Sequence, residues 1–188
     1  LREYGWQLAE LSPYDDHYYR LWTHELPPLT HPERGVEVDL HHALVMRTSR
    51  QYADPAPLIG SVRPVAGSRY AVLAPVDMVL HCIAHLLAGG ELDDTLRELV
   101  DLDDLLRCFG AEESGFWDAL WPRARQLNLA RPVFYGLRYA SRLLGRPAPP
   151  AVLEPSRAVA PPGPPPNRAC ATSVDSNGTT PTRGHGCR

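Results

Sequence analysis

Lysine is absent from this 188-residue chain, and all 19 basic residues are arginine. That absence reads as the coding bias of a GC-rich genome rather than as chemistry. An excess of positive charge is missing too. The net charge of −3 gives no electrostatic pull toward nucleic acid or an anionic membrane. Long apolar runs are lacking. The most apolar stretch, Tyr70 to Ala88, is interrupted by Pro75, Asp77, His81 and His85, which is too polar to span a bilayer. No charged-then-apolar leader is visible, so no signal peptide is expected. The four cysteines show no paired spacing of the zinc-knuckle or redox kind. Cys82 and Cys108 fall in helical patterns and are expected as buried thiols, which suits a reducing cytoplasm. No GxGxxG, P-loop or G-x-S-x-G occurs, so the common dinucleotide, Walker-type and serine-hydrolase signatures are excluded.

What is present is an ordinary hydrophobic share, 44%, enough for one domain with a core and a tail. The chain opens at Leu1 with "LREYGW", which reads as the end of a helix running into a strand, and an N-terminal truncation is expected. The aromatic stretch His17 to Leu26 predicts a strand ended by Pro27 and Pro28. A second strand, Val36 to His42, is expected to pair with it antiparallel. Residues 47 to 70 read as irregular. Four helices follow. The first starts at Pro75 and stops at Gly89 and Gly90, with Val76, Val79, Leu80, Ile83 and Leu87 on its core face. The second has Asp93 as a cap and Gly110 as a stop, with Leu96, Leu99, Leu102, Leu105 and Leu106 inward and Val100 at the margin. The third is broken or bent by Pro122, and the fourth ends at Gly145. Beyond Gly145 lie about half of the 20 prolines, and the segment from Pro161 to Arg188 has almost no apolar residues to bury, so residues 146–188 are expected to be disordered.

Candidate chemistry starts in "GVEVDLHHALV", Gly35 to Val45. Apolar Val36, Val38 and Leu40 alternate with Glu37, Asp39 and His41, so the two carboxylates and the imidazole share one side of a strand. Clustered carboxylate oxygens suit a hard cation, although a solvated strand face has the same pattern. On the first helix Asp77, His81 and His85 follow at four-residue steps, a possible D-x3-H-x3-H metal face; the alternative is histidines hydrogen-bonded at the core edge. Among the aspartates of the second helix, Asp101 is expected half-buried and the others, Asp103 and Asp104 included, as a solvated face. Arg63 and Arg69 are candidates for contact with triphosphate.

The succession "VEVDLHHAL", "VLAPVDMVLHCIAHLL" and "LRELVDLDDLLR" resembles a bacterial nucleotidyltransferase family of the polymerase-beta-like superfamily, from about Tyr4 to Gly145. The resemblance implies Mg²⁺-dependent transfer of a nucleoside monophosphate from an NTP to an unknown acceptor. It implies that Asp39 is the third of three carboxylates, catalytic and metal-ligating, with Glu37 and His41 beside it in the binding site. Asp77, His85 and Asp101 fall on family motif positions without an assigned role. Two departures stand out: aspartate where the family often has glutamate at Asp39, and His42 where it has tryptophan. The family's first two carboxylates follow a Gly-Ser turn as an acidic-x-acidic pair. None lies upstream of Tyr4, and no Gly-Ser turn precedes Glu37-x-Asp39, so this chain is expected to lack them and to be inactive alone.

The expected fold is α+β: a partial antiparallel or mixed sheet of the nucleotidyltransferase type over residues 1–70, a helical domain over 71–145, and a Pro-rich tail over 146–188. The alternatives are a non-catalytic helical interaction or nucleotide-binding module, and a metal-dependent hydrolase using Asp77, His81 and His85.

Overall fold

Ser12 starts a helix where aromatic content predicted a strand. In the computed structural model, which describes residues 1–88, 92–145, 148–149 and 152–153, Pro13–Leu21 form α1. The Ser12 hydroxyl accepts from the backbone N–H of Asp15 at 3.1 Å, and Pro13 presets the first turn. Asp15 and Asp16 place negative charge at the positive end of the helix dipole, and Arg20 pairs with Asp16 one turn on. These local signals outweigh the strand propensity of the tyrosines. The predicted strand over 17–26 is thereby corrected to a helix that ends at Leu21, followed by a short extended run.

That extended run does pair antiparallel, as expected. Leu26 N–H donates to Leu40 O, His42 N–H donates to His24 O, and Glu25 bridges His41. Beyond it, β1 (Gln7–Leu8), β2 (Leu29–His31) and β3 (Val36–Val38) form an antiparallel sheet in the order β1-β2-β3. Leu29 faces Val38 whereas Glu25 faces His41, so the side holding Pro27 and Pro28 carries one extra residue. Prolines lack the N–H a ladder needs and tolerate such a bulge. The β3 side keeps its alternation through Asp39 to His41. Its apolar side is not covered: Val36, Val38 and Leu40 are exposed. Residues 47–70 hold a one-turn helix, α2 (Ala56–Ile59), and β4 (Arg63–Pro64), which pairs with β5 (Ala71–Val72).

The helical bundle is α3 (Pro75–Ala88), α4 (Leu92–Glu112), α5 (Phe116–Gln126) and α6 (Ala130–Leu144). Central α3 packs on the other three. Val79, Leu80, Ile83, Leu102, Leu120 and Leu137 are almost wholly buried there. Two expected core positions, Leu87 and Leu96, are exposed, as is Val100, while Leu86 is buried. Gly110 does not stop α4: it lies under the Trp117 ring, where a Cβ would come within 2.7 Å. Pro122 sits inside a continuous α5, held by buried Leu120, Trp121 and Ala124. Asp103 is buried and paired with Arg107 at 2.7 Å, whereas Asp101 is exposed, the reverse of what was expected. Cys82 is partly buried and Cys108 exposed, so only the first approaches the expected buried thiol.

The expected stop at Gly89 and Gly90 lies outside the described residues, as does the side chain of Asp93. So does most of the expected tail. Its described part is packed: Ala148 and Val152 join the core, and Trp121 Nε1 donates to Val152 O at 2.7 Å. No helix among the described residues is long and apolar enough to cross a membrane.

Candidate functional site

Two parts of the chain meet through histidines. The extended pairing sets His24 and Glu25 beside His41, and α3 presents His81 and His85 one turn apart toward them. Ring centroids are 4.5 Å apart for His81–His85, 5.1 Å for His41–His85 and 5.2 Å for His24–His41. Glu25 Oε2 lies 3.1 Å from His41 Nε2 and 3.8 Å from His24 Nε2. The opposite nitrogens, Nδ1 of His24 and His41, are buried without a hydrogen-bond partner, and so is Nε2 of His85.

Burial pushes the His81 imidazolium down to about 4, helped by the positive charge that His85, His41 and His24 would carry. Burial lowers His85 as well, with His41 and His24 adding to it. Burial also lowers His24, against the opposing pull of the Glu25 carboxylate. These three rings are therefore neutral at neutral pH and carry free lone pairs. One ligand atom each from His41, His81 and His85 lie within 4.8 Å of one another, and the same holds for His24, Glu25 and His41. Such a nitrogen-rich set suits a borderline transition ion. It does not suit Mg²⁺, which takes oxygen donors.

The residues singled out from sequence divide into three groups. Glu37 on β3 and Asp39 just past its end are exposed, and neither carboxylate enters a hydrogen bond or ion pair among the described residues. They lie four and two positions before His41 on the same side of the strand but outside the close ligand groups. His41 and His85 are drawn into the cluster, together with His81. Asp77 and Asp101 are not. Asp101 stands exposed on α4. Asp77 is 1% exposed and accepts from Arg123 Nε at 2.7 Å, Arg123 Nη2 at 2.8 Å and Ser61 Oγ at 2.7 Å.

The D-x3-H-x3-H metal face is thus corrected. Each four-residue step drifts round the helix, and two steps carry Asp77 about 80° away from His85, far enough to reach α5 instead. Arg63 pairs with Glu113 at 3.0 Å, and the Arg69 guanidinium lies 6.0 Å from the Tyr70 ring. Sequence reasoning missed His24 and Glu25. The adjacent His-Glu in "WTHEL" was the available signal, hidden inside an expected strand.

For Mg²⁺ the fitting donors are Glu37 and Asp39. The ion commonly takes one or two carboxylates and completes its shell with water and substrate phosphate. Two unpaired carboxylates on one strand side match that donor type.

A separate cleft of about 720 Å³ lies between the segment around Met46 to Gln51 and helices α3 and α6. Arg50, Arg131, Tyr135 and Tyr139 are among its lining residues, and the two tyrosine rings stack with centroids 6.2 Å apart.

Comparison with known proteins adds one match. The model of a family described as uncharacterised nucleotidyltransferase covers residues 1–145. No curated protein matches the chain, and no solved structure does.

Proposed function

The chain belongs to the family of uncharacterised nucleotidyltransferases, and on that premise we propose that it serves metal-dependent transfer of a nucleoside monophosphate from an NTP to an acceptor. The observation that carries the proposal is the Asp39 carboxylate, exposed and without a partner among the described residues, one residue past β3. A substrate can approach it there without displacing an internal partner. In this reading Asp39 faces the acceptor hydroxyl and can take its proton. Glu37 lies beside it toward the triphosphate. His41 is held by Glu25 at the inner end of the same strand side. Bound Mg²⁺ would supply neutralisation of charge at the transferred phosphate and the leaving pyrophosphate.

The reading assigns two further carboxylates to an acidic-x-acidic pair after a Gly-Ser turn. A cytoplasmic location belongs to the same proposal.

The test incubates the protein with α-labelled NTPs and Mg²⁺. Label transfer to protein, RNA or small-molecule acceptors is expected, and Asp39→Asn should lower it by about 100-fold or more with an unchanged circular dichroism spectrum. Full activity in Asp39→Asn would remove Asp39 from the chemistry.

A second reading, a non-catalytic nucleotide-binding module, has its own observation in the cleft. Arg50 and Arg131 offer charge to phosphates there, and Tyr135 and Tyr139 offer rings to a base. Magnesium-independent nucleotide binding that is lost in Arg131→Ala and kept in Asp39→Asn would favour it over transfer.

A further inference from the structure

We propose that His41, His81 and His85 hold a divalent transition-metal ion of the zinc class, with Glu25 as the positioning residue for His41, and that this ion clamps the strand bearing Asp39 to helix α3. The site is distinct from the oxygen donors a magnesium ion would use, and it stands whether or not the chain transfers nucleotides.

Four observations converge. The three ligand atoms already lie within 4.8 Å of one another. Nitrogens around one tetrahedral zinc, with bonds of about 2.0–2.1 Å, sit about 3.4 Å apart, so modest torsion changes close the set. Next, the cluster contains ring nitrogens that nothing satisfies. His41 Nδ1 and His85 Nε2 are buried and without partner. A buried polar atom left unpaired is costly, and in native proteins it usually has a water, an ion or a chemical reason.

The third observation concerns tautomers. Glu25 Oε2 lies 3.1 Å from His41 Nε2, and a proton kept on that nitrogen beside the carboxylate puts the lone pair on His41 Nδ1, the unpartnered atom. A carboxylate on the far nitrogen is how metal-bound imidazoles are commonly oriented and made more basic. Fourth, no lysine or arginine reaches the cluster in any hydrogen bond or ion pair among the described residues, so nothing there competes with a cation.

Three protein nitrogens leave the fourth position to water, with His24 beside it, its own Nδ1 buried and unpartnered. The consequence is mechanical. His41 lies two residues after Asp39, and His81 and His85 are anchored on the helix whose other side is the core of the bundle. Binding metal therefore fixes the strand end that carries Asp39 against the bundle.

The experiment strips the purified chain with chelator, then titrates Zn²⁺ and Co²⁺. One ion per chain is expected, with the intense visible bands of tetrahedral or five-coordinate Co²⁺ and a rise in Tm, and a large excess of Mg²⁺ should not displace it. His81→Asn and His85→Asn should each weaken binding at least 100-fold. Glu25→Gln should weaken it about 10–100-fold. His31→Asn, at a buried histidine outside the cluster, should leave it unchanged. X-ray absorption at the zinc edge of the unmutated protein should show three imidazoles and no sulfur, which decides the matter even if a variant does not fold. Absence of saturable binding, a sulfur shell from the cysteines, or equal affinity in His81→Asn and His85→Asn would overturn the proposal.

Discussion

At the scale of single residues, the clearest division is between Asp77, which the fold consumes, and Asp39, which it leaves free. Both were candidates from the sequence. Asp77 is buried and receives two bonds from Arg123 and one from Ser61, while Arg123 Nη2 also donates to Pro57 O at 2.8 Å. The bond to Asp77 holds the Arg123 guanidinium above its usual range. Removing one partner strands a charge away from water. Arg123→Ala is expected to cost about 3–5 kcal/mol, and Asp77→Asn about 1–3 kcal/mol. Urea unfolding should show the lower midpoint with an unchanged m-value; a midpoint within error of the unmutated chain would mean the pair is idle. Cysteine reactivity follows the same logic of burial. Burial, followed by the charges of Asp101 and Glu98, pushes the Cys82 thiol up to about 11. At pH 8 its thiolate is about 100-fold scarcer than that of an ordinary thiol. Mass mapping after brief iodoacetamide treatment of the native chain should find Cys108 alkylated well before Cys82.

At the scale of elements, α3 and α6 approach closely because Gly136 has no side chain. A Cβ there would sit 2.9 Å from Ile83 Cγ1. Gly136→Ala raises helix propensity by up to about 1 kcal/mol yet forces this contact, and the overpacking is expected to win, with a net loss of about 1–3 kcal/mol. Ile83→Ala opens the space, so the double variant should be more stable than the two single losses combined. Strict additivity in a double-mutant cycle would show that the helices slide apart without cost. These helices were legible in the sequence because Pro75 near one start, the Gly145 stop and 3.6-residue periodicity agree on their existence. Faces and ends were less legible. Gly110 reads as a stop, but Trp117 packs on it, and a contact between helices leaves no local mark. The tyrosines of α1 read as a strand because aromatic side chains favour extended backbone, whereas the helix is set by the Ser12 cap and Pro13 ahead of them. In the candidate site, alternation revealed Glu37, Asp39 and His41, and helical spacing revealed His81 and His85. Nothing local indicates that His41 meets α3, or that Asp77 turns to Arg123 instead. That convergence belongs to tertiary packing.

At the scale of the whole molecule, the family match ends at residue 145, but the packing does not. Val152 is 4% exposed, and its carbonyl takes the indole N–H of Trp121 on α5. Composition argued for a tail from residue 146 because prolines dominate there, and two apolar residues among them carry little periodic signal. Two shortened chains separate the boundaries. A chain ending at Leu153 keeps the described contacts and should unfold at the same urea concentration as the full chain. A chain ending at Gly145 uncovers the surface under Val152, worth about 1.5–3 kcal/mol, and leaves a buried indole N–H unpaired, worth about 1–3 kcal/mol. Water reaching the exposed indole offsets part of the second loss, so a net drop of about 2–4 kcal/mol is expected, with Trp121 fluorescence shifted to the red. The same cut leaves Asp39, Glu25 and all four clustered histidines in place. Metal affinity measured on the Gly145 chain should therefore stay within a few-fold of the full chain wherever it remains folded. Loss of stability together with loss of metal would instead mean that the bundle and the histidine cluster unfold as one unit.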